Sequence, residues 1–240
     1  MTSHRERFLF RRTLLAGAAS LLAPLPALAQ QAATREKIAA ALPKLREFAR
    51  QIVDKRAVPG LALAIVHRDE IVLLDAFGMR QAGRPEPVTV DTVFQLASVS
   101  KPLASTVVAA LVSDGKVAWD SRIRDIDPGF ALQDELATAA VTVRDLFAHR
   151  SGLPGNIGND IEALGFTQGE ILQRLRLARP AYAFRSGYGY SNFGLTEGAV
   201  AAARFSGASW EDTSEEGLYK PLGMSSTSSR HRDFIARADR

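Results

Sequence analysis

Two apolar runs, 61–66 and 71–77, stand only four polar residues apart, and nothing after residue 160 reads as a strand. The intervening His67-Arg68-Asp69-Glu70 is a turn, so the pair predicts a β-hairpin buried on both faces or nearly so. Ahead of it, Ile38, Leu42, Leu45, Phe48 and Ile52 recur at three- and four-residue steps. That period predicts an amphipathic helix over 35–54, with a break or late start at Pro43. Downstream, 102–114, 144–147, 169–177, 193–205 and 210–219 read as helices, separated by turns such as Ser151-Gly152-Leu153-Pro154-Gly155. Strands first and helices afterwards argue for an α+β fold rather than a doubly wound sheet. One hairpin is too little for a stable sheet, so the fold requires further strands.

The first 29 residues have the form of an export signal. Arg5, Arg7, Arg11 and Arg12 make a basic start, 14–22 is apolar, and Ala27-Leu28-Ala29 fits a small-x-small cleavage site. The apolar stretch is too short to span a bilayer, so no stable membrane anchor is expected after cleavage. Arg11-Arg12 before Thr13-Leu14-Leu15 suggests the twin-arginine route to the periplasm or beyond, with ordinary secretion as the alternative. The leader holds four arginines and one glutamate, so the chain's formal charge of +4 becomes +1 without it. No nucleic-acid footprint is left, and the arginines of 230–240, interleaved with Asp233 and Asp239, read as solvated surface. The remaining 30–240 is long enough for one large domain. The chain has no cysteine, which excludes disulfides and thiol chemistry. Its four histidines are scattered without ligand spacing, and no metal or organic cofactor is implied.

Chemistry concentrates at Ser98-Val99-Ser100-Lys101, after a short apolar run and at the opening of the 102–114 helix. Serine at i and lysine at i+3 on a first helical turn share one face. A serine hydroxyl is a weak nucleophile, and an adjacent base is what acyl chemistry needs. The same four-letter pattern recurs at Ser113-Asp114-Gly115-Lys116, but there the glycine falls where a helix stops and the lysine lies beyond it. The second copy reads as a helix end.

Two more segments join the first: 141–154, containing Ala148-His149-Arg150-Ser151-Gly152-Leu153-Pro154, and Tyr188-Gly189-Tyr190-Ser191-Asn192 before a small-residue helix and Pro221-Leu222-Gly223-Met224. In this order and spacing they resemble the serine β-lactamase-related hydrolases, which include class C β-lactamases, D,D-peptidases and esterases. The resemblance covers about 35–227. It implies a transpeptidase-like α+β fold, Ser98 as acylated nucleophile, Lys101 as the amine beside it, and Tyr190 as the phenol that moves the proton. It also implies Asn192 as the amide that holds Lys101 and substrate. Expected substrates are β-lactams, D-Ala peptides or esters, hydrolysed by a monomer through an acyl-enzyme.

Each residue also has a structural reading. Ser98 can be an N-cap, Lys101 a solvated lysine, Tyr190 a core tyrosine, and Asn192 the cap of a helix starting at Phe193. His149 reads as structural. The family's third motif, Lys or His followed by a Gly two residues on, is absent. The chain is therefore expected to be the N-terminal part of the domain, with the C-terminal strands missing and this piece inactive. The alternative function is a non-catalytic protein of the same fold that binds peptidoglycan or a peptide.

Overall fold

The computed structural model describes residues 35–240. They form two compact units, one ending at Thr92 and one running from Val93 to Arg240. The expected export signal lies outside the described residues.

In the first unit, α1 (Arg35–Asp54) runs unbroken through Pro43. The proline deprives the Ala39 carbonyl of its helical donor. Ala39 is exposed, so water can serve that carbonyl, and the anticipated break is not needed. Strands β1 (Gly60–His67) and β2 (Glu70–Gly78) pair antiparallel, Gly60 opposite Gly78 and His67 opposite Glu70, with an irregularity at Ile65/Val66. Arg68 and Asp69 both have positive φ, +50° and +63°. That pair of left-handed residues is the tight turn whose twist matches a hairpin. Helix α1 covers one face of the hairpin, burying Ala49 and Leu73 and pairing Arg46 with Asp75 at 2.6 Å.

The expectation of burial on both faces is corrected. Val66 and Ile71 are 64% and 66% exposed, and Leu74 is exposed as well. A continuous apolar run does not say which alternate residues point inward; only a packing partner decides, and here α1 serves one side.

The second unit is helical. Its elements are α2 (Ser100–Ser113), α3 (Ile123–Ile126), α4 (Glu135–Ala140), α5 (Val143–Phe147), α6 (Asn159–Ala163), α7 (Gln168–Arg174), α8 (Asn192–Arg204), α9 (Trp210–Ser214) and α10 (His231–Ala236). A π-helical turn, Glu215–Tyr219, continues α9. Helix α8 is the axis. It packs against α2, α3, α5, α7 and α9, and it buries Phe193, Leu195 and an Ala201-Ala202-Ala203 run. Small residues permit that approach: a Cβ on Gly198 would lie 3.1 Å from the Phe147 ring. Around it, Val108, Leu111, Ile123, Val141, Val143, Leu146, Ile171 and Leu175 form one continuous core. Truncating a side chain such as Leu146 to alanine there costs about 2–5 kcal/mol.

Local chemistry fixes the short helices. Thr142 and Asp145 form a reciprocal capping box on α5, as Thr167 and Glu170 do on α7. Asp145 is then clamped by Arg185 at 2.8–2.9 Å. Near the C-terminus, Arg230 bridges Asp212 and Glu215 with its side chain only 19% exposed. It is an ion-pair tie rather than the freely solvated arginine expected from composition.

Candidate active site

The site is assembled inside the second unit. Residues Ala97–Val99 form a 3₁₀ turn leading directly into α2. Ser98 therefore sits just ahead of the helix rather than on its first turn. The turn keeps the i, i+3 relation, because three residues per turn eclipse those side chains. Lys101 Nζ donates to Ser98 Oγ at 3.1 Å. Ala97, immediately before the serine, has φ +46°. For an L-residue other than glycine, asparagine or aspartate this is a strained conformation costing about 1–2 kcal/mol. Such strain persists where the surrounding structure over-determines the geometry.

Tyr190 arrives from the loop before α8. Its Oη lies 2.6 Å from Ser98 Oγ, and its ring centroid lies 4.6 Å from Lys101 Nζ. The loop is pinned on both sides. The Asn156 amide donates to the Tyr190 carbonyl at 2.7 Å, and the Gly189 amide donates to the His149 carbonyl at 2.9 Å. Glycine is required at 189, where a Cβ would lie 2.1 Å from the Leu153 carbonyl oxygen.

Ser191, not Asn192, caps α8. Its hydroxyl accepts the Gly194 amide at 2.9 Å, and Asn192 is the first helical residue. The sequence allowed Asn192 as cap of a helix starting at Phe193, but one residue earlier does that work. The Asn192 amide is thereby released to the site. Its Oδ1 accepts from Lys101 Nζ at 2.6 Å, and its Nδ2 donates to Asn159 Oδ1 at 3.2 Å. Lysine can only donate, so Oδ1 must face it. Nδ2 then faces Asn159.

All four expected site residues, Ser98, Lys101, Tyr190 and Asn192, thus form one hydrogen-bonded cluster. Asn159 is an addition that no motif marked. The electrostatics follow from the contacts. The Lys101 ammonium beside it, and then the Ser98 hydroxyl, hold the Tyr190 phenol below its ordinary pKa. The second Ser-x-x-Lys is elsewhere in role. Gly115 has φ +68°, and Lys116 N donates to Leu111 O while Gly115 N donates to Val112 O. This is a Schellman helix end, with Lys116 exposed and paired to Asp114 at 3.9 Å.

A serine at a helix entrance, bonded to lysine three residues on and to a distant tyrosine, within this α+β frame, defines a β-lactamase/transpeptidase-like fold. The Beta-lactamase family model matches residues 45–239, and the chain belongs to that family of serine hydrolases. It is 30% identical over 167 residues to penicillin-binding protein 4 of Amycolatopsis lactamdurans, covering 70% of this chain and 44% of that protein. It is 32% identical over 192 residues to esterase EstB of Burkholderia gladioli, covering 72% of this chain and 48% of the esterase. A solved class C beta lactamase superposes with TM-score 0.65 at 26% identity, over 79% of this chain and 50% of the other. The chain spans less than half the length of these two curated relatives. No helix among the described residues is long and apolar enough to cross a membrane.

Proposed function

We propose that Ser98 is the nucleophile of a hydrolase that forms an acyl-enzyme from an amide, lactam or ester carbonyl. The observation that carries this reading is the three-way contact at Ser98 Oγ, with Tyr190 Oη at 2.6 Å and Lys101 Nζ at 3.1 Å. As Oγ attacks, its proton passes to the Tyr190 oxygen in its phenolate form, which the neighbouring Lys101 ammonium favours. The Lys101 ammonium stays beside both oxygens and favours negative charge on each. Asn192 holds that ammonium from the other side. Tyr190 then returns the proton to the leaving nitrogen or oxygen, and water releases the acyl group. The Ser98 backbone N–H, in the 3₁₀ turn that leads into α2, is the available donor for the tetrahedral oxyanion. Names of the relatives point to penicillin, lactam and ester chemistry, and an exported location suits the expected leader.

The test is covalent labelling with a fluorophosphonate or a fluorescent penicillin. Label on the wild-type protein of full family length and none on its Ser98→Ala variant is the expected result. A chain of full family length that takes no acyl probe, yet binds peptidoglycan fragments, would favour the non-catalytic binding protein instead. Tyr190→Phe keeps the ring and removes the proton carrier, and labelling should slow by about 10²–10⁴-fold.

A further inference from the structure

His149 belongs to none of the steps above, yet it touches the Tyr190 loop at four places. Its carbonyl accepts the Gly189 amide at 2.9 Å, and its Nδ1 accepts the Ser191 amide at 3.2 Å. Its ring lies against the Tyr190 ring at 4.9 Å and meets Tyr188 edge-on at 5.5 Å. The residue is 8% exposed and holds φ +56°. One side chain thus grips the peptide between Tyr190 and Asn192, the two side chains that reach Ser98 and Lys101.

We propose that His149 is a positioning residue that holds the Tyr190–Asn192 loop in its reactive place only while its imidazole is neutral. The Ser191 N–H donates to Nδ1, so Nδ1 carries the lone pair and the proton sits on Nε2. Protonation turns Nδ1 into a second donor facing a donor. The hydrogen bond is lost, and a cation is placed on a ring packed against Tyr190.

The nearby Lys101 charge opposes that cation. Lys101 approaches from α2. On α5, the Asp145 carboxylate is committed to Arg185 and Thr142, and Arg144 is committed to Asp120. Arg150, next in the chain, sends its guanidinium to the Arg185 carbonyl. Tyr188 and Tyr190 are the titratable groups facing it from the loop. Burial, and then the Lys101 charge, lower its pKa. The sign follows: the hold is complete above the ordinary histidine pKa and is lost as pH falls through the depressed one.

The kinetic consequence rests on the acyl-enzyme reading; the structural one does not. Two measurements on the whole chain separate them. In the isotope-labelled protein, NMR should show the Nε2–H tautomer, and the Ser191 amide shift should move with the same midpoint as the imidazole. Below that midpoint fluorophosphonate labelling of Ser98 should show an added acid limb, about tenfold per pH unit on top of the fall that protonating Tyr190 itself imposes. His149→Asn keeps an acceptor near Nδ1 without a titrating ring, and that acid limb should vanish. A His149→Asn protein with the wild-type acid limb, or a Ser191 amide that ignores the imidazole, overturns the proposal. If His149→Asn does not fold, the wild-type NMR titration decides. If Ser98 takes no label at any pH but Ser191 follows His149, the positioning role stands and the acyl-enzyme reading falls.

Discussion

The chain carries the Ser-x-x-Lys pattern twice, fifteen residues apart at the two ends of α2. At the entrance, Ser98 and Lys101 are bonded to each other and to Tyr190 and Asn192. At the exit, Gly115 reverses the backbone and Lys116 turns to solvent. The letters are the same and the chemistry differs, because the helix end decides whether i and i+3 face each other. A pattern acquires meaning from the direction in which the backbone leaves it.

Substitutions can break this contrast in graded steps. Ser98→Ala should abolish acyl labelling altogether, the largest effect, read by gel fluorescence. Lys101→Ala comes next. Removing the cation that favours both oxygens should slow labelling by about 10²–10⁴-fold, measured as an initial rate.

Within α8 the same contrast recurs between Asn192, bonded at both ends of its amide, and Glu197, buried at 2% exposure with Oε1 unpartnered. Burial, and next the neighbouring Asp127 carboxylate, push the Glu197 pKa up to about 7. Asp127 is itself paired with Arg204 at 2.9 Å. A raised acid pKa gives stability that is complete below the ordinary carboxylate value and lost as pH rises through about 7. Glu197→Gln mimics the protonated form at every pH. It should therefore unfold like wild type in acid and be more stable by about 3 kcal/mol in alkali, as seen in denaturant titrations.

Gly115→Ala forces an L-residue into the left-handed region and should cost about 1–2 kcal/mol in the same assay, with labelling unchanged. The smallest effect belongs to the decoy itself. Ser113→Ala with Lys116→Ala should change stability by no more than about 0.5 kcal/mol and labelling not at all. A loss of labelling there would overturn the distinction between the two copies.

The elements legible in advance were those with a local cause. The α1 period, the Arg68-Asp69 turn and the Ser98–Lys101 spacing all act within a few residues. The two S-x-x-K copies could be told apart because Gly115 announces a helix end. Asn159 and the grip of His149 could not be read, since their partners lie 33 and 42 residues away and no short pattern encodes them. Ala97 gave no sign of its positive φ, because alanine carries none of the turn chemistry of glycine or asparagine. The hairpin's open face escaped for another reason. Val66, Ile71 and Leu74 are apolar whichever way they point, so hydrophobicity alone left the orientation undetermined.

One consequence follows from Ser191 capping α8. Capping and the contact with Lys101 are assigned to adjacent side chains, Ser191 and Asn192. A change at 191 unravels a helix start and would register as a softer protein; a change at 192 leaves that start intact and would register as a slower one. That division makes the pair a natural handle for altering the proposed site without first having to rebuild its frame.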